Sequence, residues 1–299
     1  MDLNGKTSEP VCLHADNIEK IYPGTKALDH VSFDVRTGKV NVLVGENGAG
    51  KSTLMRILAG IEQPSSGKIY IDGKEVHFRN TNDARSHGIS IIHQELSLFP
   101  NLNIYQNIFM AREKTKHGSI LNNKKHIDET KKVLALLEHP IDPNTLVGDL
   151  RVGQQQMIEI ARNLIQEENL KILIMDEPTS SLSEQEVAVL FKIIRGLTDK
   201  GISIVYISHR LEEVLQIGDH ITVLRDGKYI ADSDVKDIDI SWIVKHMVGT
   251  EKTYPKINRS IDWKSREDIL QVKDLCLPKN GGGYTVNHVS FSLKKGEVL

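Results

Sequence analysis

Hydrophobic positions in this chain come in short runs separated by turn residues, and their period switches between two and about three and a half along its length. Val11 to Ile21 and Ala27 to Val35 are short and strand-like, broken by Pro23-Gly24-Thr25, which predicts an antiparallel pair. An apolar run of strand length (Val40, Val42, Leu43, Val44) then enters a Gly-rich turn, and Ser52 to Leu58 opens a helix. After the turn Pro64-Ser65-Ser66-Gly67, Lys68 to Asp72 alternates up to Asp72-Gly73, a hairpin signal. Gly88 to Ile92 reads as a buried strand ending at His93 and Gln94. Leu96 to Leu150 is mostly helical in pattern, strongest at Ile104 to Ala111 and Thr130 to Leu137, with a polar, loop-like stretch from Glu113 to Lys125 between them.

Gly153 to Ile165 puts Met157, Ile158, Ile160, Ala161, Leu164 and Ile165 on a helical face. Lys171 to Met175 is an apolar strand running into Asp176-Glu177-Pro178, and Gly201 to Ser208 another, ending at His209. Between them Glu184 to Leu197 is amphipathic, with Ser183 as N-cap and Glu186 at the reciprocal capping-box position. Ile221 to Leu224, followed by Asp226-Gly227, adds a late strand. This alternation predicts an α/β fold: a mainly parallel sheet covered by helices, with an N-terminal antiparallel β subdomain and an inserted helical subdomain over about residues 96–165. From Ala231 to Asp268 the pattern weakens, apart from a short helical candidate at Trp242 to Val248.

A repeat changes the domain count. Val289-Ser290-Phe291, Gly296 and Val298 match Val31-Ser32-Phe33, Gly38 and Val40 at a constant offset, and Ile269 to Leu275 resembles the first strand. The expected organisation is one domain over residues 11–249, a linker over 250–268, and the start of a second, truncated copy over 269–299. Residues Met1 to Pro10 read as a frayed polar terminus.

Composition narrows the classes. The 299 residues are 39% hydrophobic and 26% charged, as in ordinary globular proteins, and the net charge of -2 gives no broad basic field for nucleic acid. No apolar run nears the roughly 18 to 20 residues a membrane span requires, and no signal peptide is evident, so a membrane role has to come through a partner. Cys12 and Cys276 lie far apart without a CxxC pattern, which favours two packed thiols in a reducing cytosol.

The turn after the Val40 strand has Gly45, Gly50, Lys51 and Ser52 at P-loop spacing, with strand before and helix after. Backbone N–H groups of Glu46, Asn47, Gly48, Ala49 and Gly50 would face a polyphosphate, helped by the helix N-terminus at Lys51, Ser52 and Thr53. Lys51 would bring a cation to the outer phosphates and Ser52 a hydroxyl to Mg²⁺. Tyr22 at the first turn either stacks on a purine base or is simply an exposed turn tyrosine.

A P-loop alone says only nucleotide. Here it is joined, in order, by Gln94 after a strand, Gly153-Gln154 at a helix start, Asp176-Glu177 after Ile172-Leu173-Ile174-Met175, and Ile207-Ser208-His209. Taken together these resemble the ATP-binding-cassette ATPases over Val11 to Gly249, which implies a P-loop NTPase cassette. The wording Pro178-Thr179-Ser180-Ser181-Leu182-Ser183 and Ser208-His209-Arg210-Leu211-Glu212-Glu213-Val214 is similar to the monosaccharide-import subfamily, whose ATPase subunits are two cassettes in tandem. The resemblance implies that Asp176 holds Mg²⁺ through water beside Ser52, that Glu177 is the general base, that Gln94 reaches Mg²⁺ or the attacking water, and that His209 senses the terminal phosphate. Gln94 alone could be a surface polar residue, and His209 alone a packed histidine; only the set raises them. The other histidines form no spaced ligand set.

Two departures stand out. The family's Leu-Ser-Gly-Gly-Gln signature reads Leu150-Arg151-Val152-Gly153-Gln154, and the aspartate usual in a later loop is Ser183. Arg151 replaces the short hydroxyl that the family offers to a nucleotide on the opposite domain. In a head-to-tail pair the damage falls on the second site, while the site built on Lys51 needs a signature helix beyond Leu299. The resemblance implies ATP and Mg²⁺, a position at the cytoplasmic face of the membrane, integral-membrane permease subunits, and an extracytoplasmic sugar-binding protein as partners, with no nucleic acid. The alternatives are a soluble cassette ATPase acting on nucleic acid or ribosomes and a regulatory module without hydrolysis. Against the first, the insert between Gln94 and Leu150 is too short for a long coiled coil, and Ala231 to Asp268 is not a long charged linker. Against the second, Lys51, Ser52, Asp176 and Glu177 are all present.

Overall fold

The computed structural model describes residues 10–116, 120–165, 169–249, 266–279 and 282–297. The polar terminus at 1–9, most of the linker at 250–265, and Val298 and Leu299 lie outside the described residues. The chain divides into two compact units, Met1–Glu251 and Lys252–Leu299.

In the first unit β1 (Val11–Tyr22) and β2 (Thr25–Arg36) form the antiparallel pair, followed by β3 (Val40–Val44), α1 (Lys51–Leu58), β4 (Ser66–Ile71) and β5 (Lys74–Val76). Next come α2 (Thr81–Ser86), β6 (Ile89–Ile92), α3 (Ile104–Phe109), the two-residue strands β7 (Thr115–Lys116) and β8 (Ile120–Leu121), α4 (Asn123–Leu136) and α5 (Val152–Leu164). The unit closes with β9 (Ile172–Asp176), α6 (Glu184–Thr198), β10 (Ser203–Ile207), α7 (Leu211–Ile217), β11 (His220–Arg225), β12 (Lys228–Asp234) and α8 (Ile240–Val248).

The central sheet has the order β12-β11-β3-β10-β9-β6, and a four-stranded sheet has the order β2-β1-β4-β5. β6, β9, β10, β3 and β11 are mutually parallel, with β12 antiparallel at the edge. Strands β3, β9 and β10 are apolar at nearly every position because they are covered on both faces. Ile204 and Tyr206 point into a core shared with α5 and α6, whereas Val205 and Ile207 join a core shared with α1, β1 and β2. The insert packs through Ile104, Ile108, Leu134 and Met157 into the first of these cores.

Several boundaries differ from the sequence reading, for identifiable reasons. α4 begins at Asn123, within the stretch read as a polar loop, because the Asn122 side chain accepts from the Lys125 N–H at 3.3 Å and so caps it. α2 shows no apolar period: of its six residues only Ala84 is buried, and the Asn80 side chain caps its start. α7 is likewise a seven-residue helix unseen in the pattern. β12 extends through the region where the pattern weakens, held by its pairing to β11. Ser183 and Glu186 do form the capping box. Cys12 is buried, but Cys276 is only partly so, and both thiols are free.

The second unit contains β13 (Asp268–Pro278) paired antiparallel with β14 (Tyr284–Lys294). Its irregularity matches that of the β1–β2 pair. Asp274 and His288 have φ of 54° and 51°, as Asn17 and His30 have 50° and 53°. The Asp274 N–H donates to Ser290 Oγ at 2.9 Å, as the Asn17 N–H does to Ser32 Oγ at 3.1 Å.

Candidate functional site

Parallel pairing brings four carboxyl ends to one edge of the central sheet. Ile207 pairs with both Leu43 and Asp176, and Ile92 with Met175. The segments leaving that edge are the loop after β3, Gln94 after β6, Glu177 after β9 and His209 after β10. This is the edge at which open α/β sheets bind ligands.

The loop after β3 is shaped by its glycines. Gly48 has φ of +85° with open space where a side chain would begin, whereas Gly50, at +97°, lies against the Ala27 carbonyl and Leu28. Gly50 is also the N-cap of α1, so no side chain caps the helix, and the first-turn N–H groups of Lys51, Ser52 and Thr53 lack an intrahelical acceptor. Glu46, Asn47, Gly48 and Ser52 are exposed, Ala49 and Gly45 buried. Lys51 Nζ donates to the carbonyls of Gly45 at 2.7 Å and Glu46 at 3.0 Å. Burial pulls its pKa down, opposed by the Glu177 and Asp176 carboxylates.

Glu177 is the hub of the acidic end. Its Oε2 accepts from Gln94 Nε2 at 3.0 Å, and its Oε1 lies 3.0 Å from His209 Nδ1. Glu177 itself has φ of +49°, a strained conformation for a non-glycine residue, and its N–H donates to the Ile207 carbonyl at 3.0 Å. Burial raises the Asp176 pKa above the ordinary aspartate range, the Glu177 charge adds to the rise, and Lys51 opposes it. Gln94 and His209 are exposed. Thus Lys51, Asp176, Glu177, Gln94 and His209, far apart in sequence, form one neighbourhood.

An uncapped helix start, a cation, and open space at Gly48 fit a polyphosphate. A desolvated carboxylate, a hydroxyl and an amide oxygen at Asp176, Ser52 and Gln94 are the hard oxygen donors that Mg²⁺ favours.

Tyr22 is half-buried rather than a free turn residue. Its hydroxyl donates to Glu62, and Lys20 Nζ lies 5.1 Å from its ring centroid. Burial raises its pKa first and the Glu62 hydrogen bond next, with the Thr53 hydroxyl also in reach. The signature residues lie elsewhere, at the start of α5. Arg151 and Val152 are exposed. Gln154 Oε1 accepts the Arg151 N–H at 3.1 Å, but arginine has no acceptor to return, so only half of a capping box is made. Gly153 packs closely on the Glu186 carboxylate and the Ser181 carbonyl. Among the described residues no hydrogen bond or ion pair joins Arg151, Val152, Gly153 or Gln154 to Lys51, Ser52, Asp176 or Glu177.

The sequence showed no spaced ligand set among the other histidines, yet His30 and His288 each stand in a cluster of side chains that the fold brings together. Glu19, Asp29 and His30 converge, with Lys26 already neutralising the carboxylates at 2.6 and 2.8 Å. Asp274, Cys276 and His288 converge in the second unit.

Comparison with known proteins decides the family. The ABC transporter family model matches residues 28–180, just over half of the chain. The chain belongs to the ABC transporter family. Membership makes it a nucleotide-binding chain. A galactose/methyl galactoside import ATP-binding protein of Clostridium perfringens is 46% identical over 289 residues, covering 96% of this chain and 54% of that protein. A ribose import ATP-binding protein of Rhodopirellula baltica is 43% identical over 294 residues, covering 98% of this chain and 57% of that protein. The chain therefore spans little more than half the length of these relatives. A nucleotide-free ATP-binding cassette from an ABC transporter superposes with a TM-score of 0.69 at 26% identity, covering 82% of this chain and 98% of that one. The ADP conformation of another such cassette gives 0.68 at 27% identity, covering 81% and 100%. The P-loop cassette fold follows. Among the described residues no helix is long and apolar enough to cross a membrane.

Proposed function

We propose that this chain is the ATP-binding and ATP-hydrolysing part of an importer of a monosaccharide or similar small carbohydrate. The observation that carries the catalytic reading is the Glu177 carboxylate held by Gln94 and His209 beside Asp176 and the P-loop lysine. The names of the relatives favour sugar import over a cassette acting on nucleic acid or ribosomes.

In this reading the loop from Gly45 to Thr53 binds the phosphates, with Lys51 releasing the Gly45 and Glu46 carbonyls to meet them. Ser52, Asp176 and Gln94 hold Mg²⁺, which when bound neutralises charge on the phosphates. Glu177 takes the proton of the attacking water, and His209 hydrogen-bonds the terminal phosphate. Tyr22 stacks on the base. Catalysis is mainly positioning and electrostatics.

Residues 11–249 form one cassette, 250–268 a linker, and 269–299 the start of a second. The shared irregularity of the two hairpins supports this. The signature serine position is occupied by Arg151, so the whole protein has one competent and one degenerate site. The chain works at the cytoplasmic face of the membrane with integral-membrane permease subunits, an extracytoplasmic sugar-binding protein and its own second cassette.

Two measurements test this. Glu177→Gln should cut the hydrolysis rate by at least about a hundredfold while leaving nucleotide binding in place; turnover surviving that change refutes the catalytic assignment. Purification of the full-length protein should bring a membrane permease with it, and one monosaccharide should stimulate its ATPase. Stimulation by DNA, RNA or ribosomes instead would overturn the transport reading.

A further inference from the structure

A buried polar cluster behind the site joins the two segments that carry Glu177 and His209. Glu213, in the first turn of α7, is 9% exposed, and its partners Thr179 and Tyr206 are 2% and 0% exposed. Glu213 Oε2 accepts from Thr179 Oγ1 at 2.7 Å and from the Tyr206 hydroxyl at 3.0 Å. Its Oε1 accepts from Arg210 Nη1 at 3.0 Å. Thr179 stands two residues after Glu177, and Arg210 directly follows His209. Tyr206 is the penultimate residue of β10, in register with Met175 of β9, so it sits just below the ends of the two strands that lead into these loops.

A carboxylate this buried is a costly way to gain stability, since apolar groups of similar volume at such places are often as stabilising or more so. What it offers instead is fixed geometry. The burial of Tyr206, and then the Glu213 charge, keep the phenol protonated, so its hydroxyl remains a donor. Glu177 next door holds a left-handed φ that persists only where surrounding contacts over-determine it. The His209 ring, 64% exposed, has little packing of its own to fix its distance from Glu177.

We propose that Glu213 is a positioning residue which, by binding Thr179 and Arg210 with one carboxylate, fixes Glu177 and His209 relative to each other and thereby sets the hydrolysis rate without touching nucleotide. The proposal rests on the reading of Glu177 as the general base.

The test uses single-turnover ATP hydrolysis by the full-length protein with Mg²⁺, in which the Lys51 site has its opposite signature helix, together with nucleotide affinity and thermal unfolding. Thr179→Val, which removes the hydroxyl at nearly constant volume, and Glu213→Gln should each lower the rate constant roughly ten- to hundredfold. Nucleotide Kd should stay within about twofold, because the binding loop is not part of the cluster. Thr179→Ser, which restores a donor, should recover most of the rate. If Thr179→Val does not fold, Arg210→Gln tests the same link from its partly exposed end and should also slow the reaction. Unchanged rates in folded variants overturn the proposal, as does a loss of affinity in step with the loss of rate. Glu177→Gln run alongside separates the two levels. A full rate in Glu177→Gln removes the general-base reading and this proposal with it; a lost rate there, with normal Thr179→Val and Glu213→Gln, removes the positioning role alone.

Discussion

Alanine at Gly50 and alanine at Gly48 should behave differently although both positions have positive φ. At Gly50 the backbone sits at +97°, and a Cβ would lie 2.7 Å from the Ala27 carbonyl oxygen and 2.7 Å from Leu28 Cδ2. Holding a residue with a side chain in such a conformation costs about 1–3 kcal/mol. Forcing a methyl into a packed contact adds about 1–3 kcal/mol, because the Ala27 carbonyl is backbone of β2 and Leu28 is fully buried. Gly48 at +85° carries the same conformational cost but meets nothing within 4 Å. Gly50→Ala should therefore be less stable than Gly48→Ala by about 1–3 kcal/mol, a visible part of a total of about 5–15 kcal/mol. Urea titrations followed by circular dichroism measure this as a shift in midpoint at constant slope. Binding of a fluorescent ATP analogue should rank the variants differently, with Gly48→Ala losing more affinity than its smaller loss of stability implies, since the proposed reading puts the phosphates on its open side. Equal stabilities, or Gly48→Ala the less stable of the two, would refute the packing argument.

Burial, with Glu177 adding to it, raises the Asp176 pKa, so the folded chain binds that proton more readily than the unfolded chain. The ionised form thus costs stability in full above the folded pKa, and the cost fades as pH falls from there, vanishing below the ordinary aspartate pKa of the unfolded chain. Asp176→Asn should raise the melting temperature at pH 7 while abolishing the strengthening of nucleotide binding by Mg²⁺, read by calorimetry with and without the metal. In the unaltered chain that Mg²⁺ contribution should fade on acidification at a higher pH than an ordinary aspartate, near about 3.9, would give. Arg151→Ser should stabilise α5 by about 0.5–2 kcal/mol, because serine caps the helix and arginine does not. If self-paired chains present this residue to nucleotide, the same change should also raise the ATPase rate of the chain alone. Brisk, cooperative hydrolysis by the unaltered chain would contradict the degenerate-signature reading.

Much of the frame was legible because the relevant physics is local. Strands β3, β9 and β10 read as apolar runs since both of their faces are covered, and the Ser183–Glu186 capping box announced α6 through hydrogen bonds confined to one turn. The short helices α2 and α7 were not legible. Six or seven residues cannot show a helical period, and such helices exist because neighbouring elements support them. The wording around Thr179 and His209 drew attention for its resemblance, but the task of Glu213 within it was invisible, because its partners lie 34 and 7 positions away in sequence.

By itself the sequence determined which residues are the candidates for the chemistry: a glycine-rich turn between strand and helix, a lysine, and carboxylates at the end of an apolar run. Only the tertiary structure decided that they meet. The order β11-β3-β10-β9-β6 places the carboxyl ends of parallel strands side by side, and the register opposite Ile207 aligns Leu43 with Asp176. Strand order reflects how apolar faces pair across the whole chain, whereas each motif reflects only its own few residues. For that reason Glu177 could be named from the sequence, while its hydrogen bonds to Gln94 and His209 required the fold.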